Sequence, residues 1–194
     1  MSDPACIVLE TPVGTIVIDV HTAAASQTAR YVLDLVDRGC FRGATFYRST
    51  HFGIHGRRAL IQGGPFAPLF TGSGAAIPEV ELLDTVEATS LTGLRHRRGT
   101  VSLARDLFAT GHVLPELFIC LDDYPELDAG GRHEPDSQGF PAFASVVGGL
   151  DVVETIAARA TDGASPVSRL AGEVLTSPVA ILSATRQPRP KSST

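Results

Sequence analysis

The chain has 194 residues, 43% hydrophobic and 19% charged, with a formal net charge of −5. That length suits one domain able to bury about 70% of its unfolded surface, and the composition excludes a disordered chain. The acidic balance argues against a nucleic-acid partner, and no apolar run approaches the roughly 18 residues that span a bilayer.

Met1–Ala5 carry an acid and no basic stretch, so no targeting segment is expected and the cytoplasm is the expected compartment. Cys6–Glu10 and Gly14–Val20 read as strands joined by a Pro/Gly turn, a hairpin signal. Within the second, Ile16, Ile18 and Val20 share one face and Thr15, Val17 and Asp19 the other, the alternation of a strand with one side on a core. From Ser26 to Arg38 the period changes to that of a helix, with Tyr31, Val32, Leu35 and Val36 as its apolar stripe. Ser26 or Thr28 is the expected cap and Gly39 the expected left-handed stop.

Short strands follow over Thr45–Arg48, Leu60–Gln62, Thr100–Ala104, Leu117–Leu121 and Phe143–Val147. A helix fits Leu150–Arg159, with Val152, Val153 and Ile156 inward, and Val179–Ser183 is the expected closing strand. Strands this short and even, with 19 glycines and 13 prolines between them, suggest an all-β barrel that removes its edges by closure. The domain is expected over residues 6–185, with 186–194 as a loose basic tail. Ser49–Arg58 and Pro65–Asp84 are longer than a simple barrel needs. Cys6, Cys40 and Cys120 are far apart and odd in number, as free thiols would be.

Five segments carry chemistry when taken in order: Phe46-Tyr47-Arg48, Leu60-Ile61-Gln62-Gly63-Gly64, Ser102-Leu103-Ala104-Arg105, Leu117-Phe118-Ile119-Cys120 and Gly139-Phe140-Pro141-Ala142-Phe143. Together the run, from about Ile7 to Ile181, resembles the cyclophilin family of peptidyl-prolyl cis/trans isomerases, and its bacterial branch in particular. The resemblance implies a closed eight-stranded antiparallel barrel capped by two helices. It implies isomerisation of Xaa-Pro bonds in polypeptides, in the service of protein folding, by a monomer without a cofactor. The alternative is a cyclophilin-like module that binds proline peptides as a chaperone or scaffold with little turnover.

An Xaa-Pro amide turns slowly because resonance holds it planar, behind a barrier of roughly 18–20 kcal/mol. Catalysis needs no nucleophile or metal. It needs the proline ring held and a donor aimed at the prolyl nitrogen, whose lone pair is freed in the twisted state. The resemblance puts Arg48 on the catalytic arginine, and a guanidinium offers N–H groups in a rigid fork. It puts Gln62 on the glutamine that holds the arginine and contacts substrate. Leu60, Phe118, Leu127 and Phe140 fall on the proline pocket, and Ala104, Arg105 and Glu116 on substrate-contacting positions. Gly63 and Gly64 would permit a close approach or an unusual backbone angle.

The chain departs from the family at several points. Ala59 stands for a pocket phenylalanine, Arg105 for an asparagine, Glu116 for a glutamine, Leu114-Pro115 for a small pair, and Glu126 for the tryptophan that cyclosporin uses. Glu116 is expected within reach of Arg48, orienting it. His51 and His55 have i,i+4 spacing, but Gly53 and Gly56 make a helical metal site a poor reading. The basic runs Arg57-Arg58 and Arg95-His96-Arg97-Arg98 lack interleaved aromatic residues and read as a solvated rim.

Overall fold

A computed structural model describes residues 5–51, 58–106, 111–132 and 136–189. Among these residues nine strands form one sheet: β1 (Ala5–Thr11), β2 (Gly14–Val20), β3 (Thr45–His51), β4 (Arg58–Gly64), β5 (Thr100–Arg105), β6 (Val113–Cys120), β7 (Ala142–Gly148), β8 (Val174–Ala180) and β9 (Ser183–Pro188). Their order across the sheet is β8-β3-β4-β6-β5-β7-β2-β1-β9, with antiparallel pairing throughout. Among the described residues four α-helices accompany them: α1 (Ser26–Asp37), α2 (Ala67–Thr71), α3 (Thr89–Thr92) and α4 (Leu150–Ala157).

The expected closed barrel of eight strands is therefore corrected to an open, curled half-barrel of nine. The expected closing strand Val179–Ser183 breaks at Ile181-Leu182. Ile181 exchanges backbone hydrogen bonds with Gly43 and Ala44 (3.0 and 2.8 Å), while the Leu182 N–H turns to Glu10 O (2.8 Å). The chain thus steps from one end of the sheet to the other, and β8 and β9 are joined covalently rather than by a ladder. Each carries a proline, Pro178 or Pro188, which cannot donate to a second neighbour and so suits an edge. The tail boundary also moves, because Arg186, Gln187 and Pro188 pair with Ile7, Cys6 and Ala5.

The concave side is filled by Ile7, Leu9, Ile16, Ile18, Ile61, Leu103, Leu117, Ile119 and Phe143, all essentially inaccessible. Helix α1 covers β7 and β9 with Val32, Leu35 and Val36, while α4 packs on β2, β3 and β4 through Val153 and Ile156. Truncating a buried leucine such as Leu35 would cost roughly 2–5 kcal/mol. Gly39 has φ +73° and stops α1 as expected. The start of α1 differs: Ala25 is its cap residue, and neither Ser26 nor Thr28 caps it. Glu87, 59 residues on, accepts from Thr28 N (2.8 Å) and Gln27 N (3.1 Å), placing a carboxylate at the positive end of the helix. The loop from 65 to 88 is thereby tied to α1. All three cysteines are free.

Candidate active site

The site begins with an irregularity in β3. Phe46 pairs with Gly63 and Arg48 with Gln62, so Tyr47 is an extra residue with no partner on β4. Phe46 and Ser49 point inward, Phe46 into the core and Ser49 to Ala157 O of α4 (2.9 Å). The bulge spends Tyr47 and Arg48 together on the outer face, where simple alternation would have sent Arg48 into the core. On β4, Ile61 faces the core, and Leu60 and Gln62 face out with Arg48.

Arg48 is held on two sides. Its Nε and one terminal nitrogen donate to Glu173 Oε2 (2.8 and 2.5 Å), and the other terminal nitrogen donates to Gln62 Oε1 (2.7 Å). Glu173 is itself fixed by the Thr50 hydroxyl at 2.6 Å. Among the described residues three of the five guanidinium N–H groups are so used, which leaves two for a ligand in the cleft. The Gln62 amide nitrogen donates to the Tyr47 hydroxyl (2.8 Å), which settles the orientation of the Gln62 side chain.

Behind Tyr47 lies Glu116, with no exposed surface. Its Oε1 accepts from Phe66 N at 2.6 Å; Tyr47 approaches the same carboxyl group, yet Oε2 has no partner of hydrogen-bond geometry. Burial lifts the carboxyl to about 8, against the pull of the Phe66 N–H and Tyr47. Burial, with Glu116 beside it, also pushes the Tyr47 phenol well above its usual range. Gly64 has to be glycine: a Cβ there would stand 2.6 Å from both Glu116 Oε1 and Pro115 O.

Next to Gln62 is an apolar pocket. Leu60, Ala104, Phe118, Cys120, Tyr124 and Leu127 form a buried cluster, with half-buried Phe140 packed on it. Phe118 and Phe140 meet edge-to-face, centroids 5.5 Å apart at 88°. Arg132 lies over the Phe140 ring at 5.2 Å. Under Phe118 the His96 ring stacks at 5.7 Å. His96 is buried, with Nδ1 at 2.8 Å from Asp128 Oδ1, and burial lowers its basicity against the opposing effect of Asp128. One cavity of about 350 Å³ joins this pocket to Arg48 and Gln62.

A donor cation beside a ring-sized apolar pocket, in this fold, is matched by the family model for the cyclophilin type peptidyl-prolyl cis-trans isomerases, which spans residues 6–186. The chain belongs to the cyclophilin family. It is similar to peptidyl-prolyl cis-trans isomerase B of Escherichia coli (strain K12), 30% identical over 148 residues, covering 76% of this chain and 81% of that one. Isomerase A of Dickeya dadantii (strain 3937) is 28% identical over 160 residues, covering 82% and 75%. A crystal structure of a cyclophilin type isomerase from Cryptosporidium parvum superposes with a TM-score of 0.71 at 16% identity, covering 96% of this chain and 99% of that one. The same protein in the presence of the dipeptide Ala-Pro gives a TM-score of 0.69 at 16% identity, covering 94% and 98%.

In this cyclophilin the cleft brings together Arg48, Leu60, Gln62, Ala104, Arg105, Phe118, Leu127 and Phe140, as expected from sequence. Glu116 is the exception. It lies behind the wall, has no contact with Arg48 among the described interactions, and reaches it only through Tyr47 and Gln62. Glu173 takes the place expected of it. Arg105 holds the cleft edge through Asp136 (2.8 and 3.1 Å) and Gly139 O (2.9 Å), and its hydrogen bond keeps the Asp136 carboxyl below the usual range. Leu114 lines the cleft, whereas Pro115 is buried where the β5–β6 register shifts.

In the basic run at 95–98 the three arginines are exposed, as expected of a rim, with Arg98 pairing with Glu154 at 2.5 Å, whereas His96 is buried. His55 and Arg57 lie outside the described residues, as do the side chains of His51, Arg58 and Ala59. Glu173, Tyr47, His96 and Arg132 carry parts that sequence reading left unassigned. None had a local signal of its part: even the Asp128 carboxylate that accepts the His96 N–H groups is 32 residues away.

Proposed function

We propose that the cleft isomerises Xaa-Pro bonds, with the proline ring against Phe118 and Phe140 and the Arg48 fork at the prolyl nitrogen. The observation that carries this reading is the two-sided grip of Glu173 and Gln62 on Arg48, which leaves two N–H groups fixed beside the pocket. A donor held in advance of the reaction costs no reorganisation, and its bond to the nitrogen strengthens as resonance breaks. The substrate is a polypeptide segment containing proline, and the chain acts as a monomer in the cytoplasm in support of protein folding, without a cofactor.

Exchange spectroscopy or a protease-coupled assay on a short Xaa-Pro peptide tests the reading. Arg48→Ala should lower kcat/KM well over tenfold, more than about 1.4 kcal/mol in the barrier, with the fold intact. Unchanged turnover would overturn the role of Arg48. The Glu173 pair also favours a second reading, because a neutralised arginine stabilises the twisted state less. A binder with little turnover would perturb Phe118 on peptide addition without accelerating exchange.

A further inference from the structure

The cleft has a second apolar wall. Beyond Arg48, on the side away from Phe118, the same cavity is lined by Phe70 of α2 and by Val167 and Leu170, which precede β8. Phe70 stacks on Tyr47, centroids 5.3 Å apart and planes within 6°. Tyr47, Ala67, Leu170 and Val174 form a buried cluster of their own, and Phe70 and Val167 are packed on it while half-buried. Each of these two side chains therefore has one surface on a rigid support and another open to the cavity.

Strand register fixes how far this wall lies from the proline pocket. Phe118 pairs with Gln62, Gln62 with Arg48, and Arg48 with Val174, one row across β6, β4, β3 and β8. Three strand spacings of about 4.8 Å put Val174, which supports the second wall, roughly 14 Å from Phe118. An extended chain advances about 3.3 Å per residue, so that distance is about four residues. A tetrapeptide with its proline on Phe118 barely reaches the second wall; a longer segment crosses it.

We propose that this wall is a second subsite of the cleft, which takes a bulky apolar side chain, aromatic or branched aliphatic, three to five residues from the proline of the same segment. This rests on the reading of Phe118 and Phe140 as the proline pocket. It makes the enzyme selective for extended segments that pair a proline with an apolar residue at that distance, as unfolded chains present and polar loops do not. Tyr47 then has two parts, its hydroxyl in the Gln62 linkage and its ring as the base on which Phe70 rests.

The test is a set of eleven-residue peptides with one central proline in an Ala/Ser background, and one phenylalanine moved through every other position. Dissociation constants and exchange rates are measured separately. Phenylalanine three to five residues from proline, on one side, should tighten binding about tenfold over the background peptide, or about 1.4 kcal/mol. Phe70→Ala should bring the ratio of the two dissociation constants near one. Should that variant fail to fold, Val167→Asn, at the other half-buried member of the same wall, serves the same comparison. A flat scan, a peak adjacent to proline, or a ratio untouched by both variants overturns the second subsite. Positional preference without faster exchange supports the subsite while removing the isomerase reading; absence of binding by every peptide overturns both.

Discussion

Glu116 should make the wild-type protein lose stability as pH rises, and Glu116→Gln should abolish that loss. The carboxyl has no exposed surface, and burial moves it from an ordinary 4.5 to about 8. Between those two values the folded chain holds a proton that the unfolded chain has released. Unfolding free energy then falls with pH, because the unfolded state binds fewer protons. The stabilising contribution is complete below the unfolded value and is lost as pH climbs through the folded one. At about 1.4 kcal/mol per pH unit, the interval from about pH 5 to about pH 8 costs the native state roughly 4 kcal/mol. In a domain of this size that is about 10 °C in Tm. Glutamine is neutral throughout and can still accept from Phe66 N. Its amide nitrogen occupies the position of Oε2, which already lacks a partner, so that defect is common to both proteins. The assay is urea denaturation of wild type and variant at each pH. Only the difference is interpreted, since His96 and other titrating groups shift both alike. Parallel stability curves would refute the reasoning, because they would mean that the buried carboxyl is ionised in the fold. Turnover of the variant should stay within about tenfold of wild type, since Glu116 meets Arg48 only through two intermediaries.

Glu173→Gln should lower kcat/KM about three- to tenfold with the fold intact, by loosening the Nε side of Arg48; an increase would mean that the carboxylate competes with substrate for the guanidinium. Gly64→Ala should destabilise by roughly 1–3 kcal/mol in urea, because neither Pro115 O nor the Glu116 carboxyl can withdraw from the new Cβ. Asp128→Asn should cost roughly 1–3 kcal/mol, since two His96 N–H groups share one Asp128 oxygen. In the same variant the His96 ring should titrate lower still in an NMR titration, because Asp128 is the group that opposes burial there.

What sequence could and could not foretell divides by range. Strand alternation in Gly14–Val20 and the stripe of α1 are local patterns, and Ile16, Ile18, Val32 and Leu35 are buried accordingly. The cleft residues on β4, β5 and β6 were legible through the family resemblance, and the strand register carries Gln62 beside Phe118. Glu173 was not legible, because 125 residues separate it from Arg48 and no local pattern marks an acid that pairs across a sheet. Glu87 escaped for the same reason: the residues at the start of α1 suggest self-capping, and tertiary structure supplies the cap instead. Glu116 was misjudged because neighbourhood in a motif does not say on which side of the wall a side chain ends. The closing strand was misplaced because an apolar run through Val179–Ser183 conceals a change of partner at Ile181.

The unpaired residue in β3 has a consequence for how this activity can be gained or lost. Whether a guanidinium stands in the cleft depends on that local irregularity as much as on which residue is encoded. Deleting Tyr47 would restore strict alternation with Phe46 inside and Arg48 still outside, whereas straightening β3 with all its residues kept would send Arg48 toward the core and exchange the side of every residue after it. Arginine could be retained in the chain and still be absent from the chemistry. Among relatives of this protein, an arginine two residues after the inward phenylalanine is thus a sign of a working site only where the strand keeps this bulge.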